Sequence, residues 1–107
     1  MYIKEAHPSD PGAWNLETNK ADGVCYIQPR TVYDRLAVAK DFRSATQCAI
    51  PLLVDAMDNT ACERYGAFPE RLCIVERGRI AYTGSSLGPM GFDPEEVGEW
   101  LEERFCR

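Results

Sequence analysis

The chain has 107 residues, of which 45% are hydrophobic and 27% charged, a composition that fits one small globular domain. A net charge of −5, with no cluster of lysine and arginine, argues against a nucleic-acid surface. The longest aliphatic run, residues 49–54, is far too short to cross a bilayer, so no membrane segment is expected within this chain.

The five cysteines form no metal-binding pattern. There is no CxxC pair, and no cysteine lies at zinc-site spacing from the single histidine, so no metal is expected. An odd number of irregularly spaced cysteines is typical of reduced thiols, which predicts a cytoplasmic protein.

The opening segment begins as a strand and ends as a polar loop. Tyr2 and Ile3 are β-formers, whereas Pro8 stops the extension. Glu5 and His7 lie two positions apart, and side chains two apart in an extended strand point to the same face. The strand end therefore offers a carboxylate and an imidazole for proton transfer; the alternative is a solvated strand end without chemical function.

Residues 7–30 form a long irregular segment rich in Pro, Gly, Asn and Asp, which is either functional or an insertion. Within it, residues 24–27 are apolar and compatible with a short strand. Thr31 then acts as N-cap, with Asp34 in a capping-box position, for a helix expected to end between residues 43 and 45. Helical spacing predicts an apolar face made of Val32, Leu36, Val38, Ala39 and Phe42.

The apolar run at residues 50–54 predicts a strand covered on both faces. The strand, helix and strand together predict a parallel βαβ unit, expected to be right-handed. A short helix over residues 60–65 follows, and then a hairpin with strands 71–76 and 79–83. Asp93 caps a last helix, whose predicted buried stripe consists of Val97, Trp100, Leu101 and Phe105.

This order of elements predicts an α/β fold, namely a thioredoxin-like mixed sheet with helices on both faces. The chain corresponds to the C-terminal portion of that layout, so the N-terminal strand and helix of the layout are expected to be lacking. A single partial domain over residues 1–107 is predicted.

The sequence also resembles the iodothyronine deiodinase family, and more closely its bacterial deiodinase-like branch. The matching residues run nearly from end to end and are residues 2–10 with Trp14, 28–29, 34–36, 50–59, 69–72, 78–82, 88–89 and 92–96. The resemblance implies reductive removal of iodine from an aromatic ring by a selenocysteine, or by a cysteine in some bacterial members. That nucleophile would lie upstream of Tyr2, where none of the five cysteines stands. We therefore expect the true product to be longer, because a selenocysteine codon read as a stop would make the predicted reading frame restart at Met1. The fragment on its own is expected to be inactive.

The resemblance assigns chemistry to residues near the opening strand. Glu5 and His7 match the residues thought to handle protons and hold the substrate, and Tyr2 matches a tyrosine of the active-site strand. Trp14 is a candidate for stacking on an aromatic substrate. The alternatives are core packing for Tyr2 and a surface anchor for Trp14.

Two further residues belong to the hairpin region. Pro69 stands where thioredoxin-like proteins place a cis-proline facing the nucleophile. Arg71 matches the family arginine that would pair with a substrate carboxylate in a bidentate way; an exposed hairpin arginine is the alternative. Cys25 is a candidate resolving thiol, as are Cys48 and Cys62, although most such cysteines are idle thiols or small core residues.

The protein is thus expected to be a deiodinase-family oxidoreductase that acts on a small aromatic substrate and uses a thiol reductant as co-substrate. No bound cofactor is expected, and a homodimer is the possible assembly. Strand 51–55 and the hairpin after Pro69 also resemble peroxiredoxins, so a thiol peroxidase is the second interpretation. A truncated, non-catalytic binding domain is the third. Pro29-Arg30 stands where the vertebrate enzymes have a histidine, which hints at a different halogenated aromatic or a peroxide as substrate.

Overall fold

The computed structural model describes residues 2–3, 8–13, 15–67, 70–84 and 92–106, with the backbone alone at residues 2 and 3. The chain divides into two compact units, Met1–Thr60 and Ala61–Arg107. The elements are β1 (Tyr2–Ile3), α1 (Glu17–Ala21), α2 (Val32–Thr46), β2 (Leu53–Val54), α3 (Thr60–Tyr65), β3 (Cys73–Glu76), β4 (Arg79–Thr83) and α4 (Pro94–Phe105). This mixed α/β architecture is consistent with the predicted thioredoxin-like fold class. The single domain over residues 1–107 stays a prediction.

The first unit contains the predicted parallel βαβ arrangement. Strand β1 pairs with β2 in parallel, with Tyr2 opposite Leu53 and Ile3 opposite Val54. Helix α2 connects the two strands in sequence. Because the strands are parallel, their carboxyl ends lie at the same edge of the pair, which is the edge where α/β proteins place their sites.

Helix α2 begins as the sequence predicts. The Thr31 hydroxyl accepts a hydrogen bond from the Asp34 backbone N–H at 3.2 Å, and the Asp34 carboxylate accepts from the N–H groups of Arg30 and Thr31. These bonds lower the pKa of Asp34, that from Arg30 most strongly. The helix ends one residue beyond the predicted limit, at Thr46, where Gln47 takes the left-handed conformation with φ 51°.

The burial of α2 differs from the predicted apolar face. Its buried residues are Ala39 and the charged Arg35, whereas Val32 and Leu36 are each 39% exposed. Spacing alone places Arg35 on the stripe of Val32 and Ala39, at i+3 and i−4 from them. The buried face of α2 therefore carries the guanidinium of Arg35 as well as the methyl group of Ala39.

One strand prediction in this unit was wrong in its length and burial, and another was wrong altogether. The run 50–54 forms a strand at Leu53–Val54 only, and Leu53 is 70% exposed rather than covered. Pro51 has no N–H to donate to a ladder, which shortens the strand. Residues 24–27 form no strand, and the irregular segment instead contains the unpredicted short helix α1.

The second unit contains the predicted hairpin. Strands β3 and β4 pair in antiparallel fashion around Arg77 and Gly78, both of which have positive φ angles, 52° and 76°. The register shifts between Ile74 and Val75, because Ala81 of β4 is an extra residue with no partner in the ladder.

Helix α4 begins at the predicted cap, since the Asp93 carboxylate accepts from the N–H groups of Glu95 and Glu96. Its stripe is only partly covered, because Val97 and Trp100 are half-buried whereas Leu101 and Phe105 are 42% and 66% exposed. Two polar links join α4 to the hairpin within this unit: Tyr82 Oη donates to Glu96 Oε2 at 2.5 Å, and Arg104 Nη2 pairs with Glu76 Oε1 at 3.0 Å.

The link between Tyr82 and Glu96 leads to a pH-dependent prediction. The hydrogen bond that Tyr82 donates to the Glu96 carboxylate, together with desolvation, raises the pKa of Tyr82 to about 12 from its ordinary 10.0. Because the folded-state pKa is the higher one, the stabilisation is complete below pH 10 and is lost as the pH rises toward 12. We expect absorbance titration of Glu96→Gln to show Tyr82 ionising closer to its ordinary range. An unchanged titration curve would contradict this link.

Candidate functional site

The candidate site lies where β1 and β2 end together. Asp55 follows β2 directly and is 3% exposed. Of the predicted site residues, Tyr2 belongs to β1, where its backbone pairs with Leu53. Glu5, His7, Trp14 and Pro69 lie outside the described residues, so their assigned chemistry stays a prediction from the sequence.

A buried arginine organises the loop that leaves this edge. Arg35 is 1% exposed, and its Nη1 donates to the carbonyl oxygens of Asp55 at 3.0 Å and Ala56 at 2.9 Å. Its Nη2 donates to Asn59 Oδ1 at 3.1 Å. Asn59 itself has a positive φ of 58°. One guanidinium on α2 therefore holds three acceptors of the segment that follows β2, and so fixes the shape of that segment.

Sequence reasoning missed this function of Arg35. It was included only among the residues that resemble the family. The available signal was its place on the buried stripe of α2, where a charged residue requires partners because burying an isolated charge is costly.

The irregular segment before α2 is anchored at both of its ends. The Ser9 N–H donates to the Tyr26 carbonyl at 2.7 Å, and the Gln28 N–H donates to Asp10 Oδ2 at 2.5 Å. Tyr26 Oη donates to Asp41 Oδ2 on α2 at 3.1 Å. Desolvation and this bond to Asp41 raise the pKa of Tyr26. The segment that follows the opening strand is thus tied back on itself and to α2.

The candidate resolving thiol Cys25 is free and exposed in this segment. It lines a groove of about 420 Å³ whose other lining residues are Ser9, Asn15, Leu16, Glu17, Asn19, Lys20, Gly23 and Val24. Of the other two thiol candidates, Cys48 is half-buried and Cys62 is buried in α3. A resolving thiol must reach the nucleophile and reductant, so exposure favours Cys25 among the three.

Arg71 lies in the second unit, just before β3, and is half-buried. Its Nε is buried and makes no hydrogen bond with any residue that the structure describes. The guanidinium packs against Gly66, the residue that follows α3. Arg71 is thus partly covered rather than fully exposed, and its pairing with a substrate carboxylate stays a prediction.

The described residues contain no group of three or more His, Cys, Asp and Glu side chains that could hold a metal ion. Among the helices of the described ranges, none combines the length and the apolar content that crossing a bilayer requires.

Comparison with known proteins identifies the family. The iodothyronine deiodinase family model matches residues 1–105. A type I iodothyronine deiodinase from Xenopus laevis is 38% identical over 97% of this chain and 38% of its own length. A type II iodothyronine deiodinase from Rattus norvegicus is 38% identical over 100% of the chain and 40% of its own length. A thyroxine 5-deiodinase from Bos taurus is 40% identical over 95% of this chain and 32% of its own length.

The match thus extends from β1 through α4, while the chain spans 32% to 40% of the length of these relatives. At such coverage and identity, shared ancestry of the matched region is the only reasonable explanation, and the chain belongs to the iodothyronine deiodinase family.

Proposed function

We propose that this protein catalyses reductive deiodination of an iodinated aromatic compound, with iodothyronines as the substrate class. The observation that carries the proposal is the family match over residues 1–105. Its support in the molecule is the parallel β1–β2 pair, whose common edge is where an α/β fold presents reacting groups.

The proposed reaction begins when a selenolate or thiolate of the full-length protein attacks the iodine of the substrate. The carbon–iodine bond breaks, iodine passes to the nucleophile, and the ring carbon takes up a proton. A resolving thiol then displaces iodide and forms a bond to the nucleophile, and two equivalents of a thiol reductant cleave that bond and restore both groups as they are oxidised to a disulfide. The ring is reduced by two electrons, and the two thiols supply them.

Glu5 and His7 are the proposed source of the proton. They follow Ile3, the last residue of β1, by two and four positions in the sequence. A carboxylate next to an imidazole can orient the ring and favour its protonated form, which is the form a general acid requires.

Arg71 is the proposed partner of a carboxylate on the substrate, and Trp14 the proposed stacking partner of an aromatic ring. The resemblance of Arg71 to the family arginine supports the first assignment, because a guanidinium can bind a carboxylate through two parallel N–H groups. Cys25 is proposed as the resolving thiol, and a reducing cytoplasm with a small thiol as the setting in which it acts.

Two assays of the full-length protein in the presence of dithiothreitol test the proposal. In the first, release of iodide from thyroxine is measured; in the second, consumption of hydrogen peroxide. We expect iodide release with an equal amount of deiodinated product. Peroxide consumption without iodide release would favour a thiol peroxidase, and background rates in both assays would favour a non-catalytic binding protein.

A further inference from the structure

Gly66 closes helix α3 in a conformation that favours glycine. Its φ is +56°, its N–H donates to the Glu63 carbonyl at 3.1 Å, and the Ala67 N–H donates to the Cys62 carbonyl at 2.9 Å. The helix thus ends at Tyr65, and Gly66 follows it in the left-handed conformation.

The guanidinium of Arg71 occupies the space beside this glycine. A Cβ atom at Gly66 would lie 3.4 Å from Arg71 Nη1 and 3.8 Å from Cζ. A Cβ alone would make an ordinary contact, but any longer side chain would extend into the position of the guanidinium. Arg71 Nε has no hydrogen-bond partner among the described residues, so packing on Gly66 is a contact that helps to hold this side chain.

We infer that Gly66 is a positioning residue for Arg71, and that it sets the affinity of the protein for substrates that carry a carboxylate. The inference rests on the proposed function, in which Arg71 binds that carboxylate. Gly66 does not touch substrate; it leaves free the space that the guanidinium needs to present its donors in a fixed orientation.

Gly78 provides a matched control. It has a left-handed φ of +76°, but a Cβ there would meet nothing within 4 Å. Asparagine tolerates the left-handed region better than other non-glycine residues. Gly66→Asn and Gly78→Asn therefore impose a similar demand on the backbone, and only the first places a side chain against Arg71.

The experiment measures KM and kcat of the full-length protein for thyroxine and for thyroxine methyl ester, which lacks the free carboxylate. We expect Arg71→Ala and Gly66→Asn each to raise KM for thyroxine about 10-fold, with kcat and the KM for the ester little changed. The double variant should be no worse than Arg71→Ala, because both changes remove the same interaction. Gly78→Asn should match the wild type.

The outcomes separate the inference from the proposed function. If Arg71→Ala leaves the preference for the free carboxylate intact, the proposed function of Arg71 fails, and the inference fails with it. If Arg71→Ala abolishes the preference while Gly66→Asn behaves like Gly78→Asn, the inference alone is overturned. Should Gly66→Asn not fold, Gly66→Ser and Gly78→Ser repeat the comparison with a side chain that still extends beyond Cβ and a smaller expected difference of about 2-fold, and equal KM values would overturn the inference.

Discussion

Replacing Arg35 by alanine is expected to lower the free energy of unfolding by about 3–5 kcal/mol. The substitution removes three hydrogen bonds from a guanidinium that is 1% exposed, and it leaves the carbonyl oxygens of Asp55 and Ala56 without these donors. A loss of this size is a large fraction of the stability of a small domain. Urea denaturation followed by circular dichroism measures it.

Arg43 is the matched control, since it lies on the same helix but is exposed in the last turn. Arg43→Ala should cost less than about 1 kcal/mol. Should Arg35→Ala not fold at all, Arg35→Lys keeps the charge but loses the planar fork, and an intermediate stability is expected. Equal stability of the Arg35 and Arg43 variants would show that the contacts of Arg35 contribute little.

Replacing His7 by alanine is expected to lower kcat for deiodination about 10²–10⁴-fold, the usual contribution of a general acid or base. KM for the substrate should change little, because the proton is needed in the transition state rather than for binding. Glu5→Gln should give a smaller loss, since it removes the charge that favours the imidazolium but keeps a hydrogen-bonding group. Iodide release from thyroxine under saturating dithiothreitol measures both variants.

Ser9→Ala is the matched control for the opening segment. Its backbone N–H bonds to the Tyr26 carbonyl, a contact that the substitution preserves. This variant should retain the wild-type rate. A His7→Ala variant with the same rate as Ser9→Ala would remove His7 from the mechanism.

The parts of the fold that the sequence predicts well are set by neighbouring residues. The capping box of Thr31 and Asp34, the cap at Asp93 and the hairpin turn at Arg77-Gly78 each depend on residues only a few positions apart. Their geometry is decided locally, so a short stretch of sequence contains the required information.

Burial was predicted less well, because it depends on which surfaces meet. Leu53 was predicted to lie in a covered strand but is 70% exposed, and Arg35 is more deeply buried than Leu36 on the same helix. The apolar spacing of α2 identifies a stripe, but it does not reveal that the loop after β2 offers three oxygen acceptors to that stripe. Only the folded arrangement brings them together.

The same distinction applies to the candidate site. The sequence identifies Arg71 as a candidate by family resemblance, but its packing against Gly66 depends on how the chain turns after α3. Cys25 could be chosen only as one thiol among several, whereas its exposure in a groove distinguishes it from buried Cys62. For Glu5 and His7 the resemblance to the family, together with their spacing in the sequence, remains the basis of the assignment.

The central claim is that the polar end of the opening strand supplies the proton in reductive deiodination. The pH dependence of iodide release, compared between the full-length wild type and His7→Gln, tests it most directly. We expect the wild-type kcat to fall as the pH rises above about 6.5, the ordinary pKa of histidine, because the imidazolium that Glu5 favours is then lost. The variant should lack this decline and remain slow throughout. A decline of the same shape and midpoint in both proteins would contradict the claim.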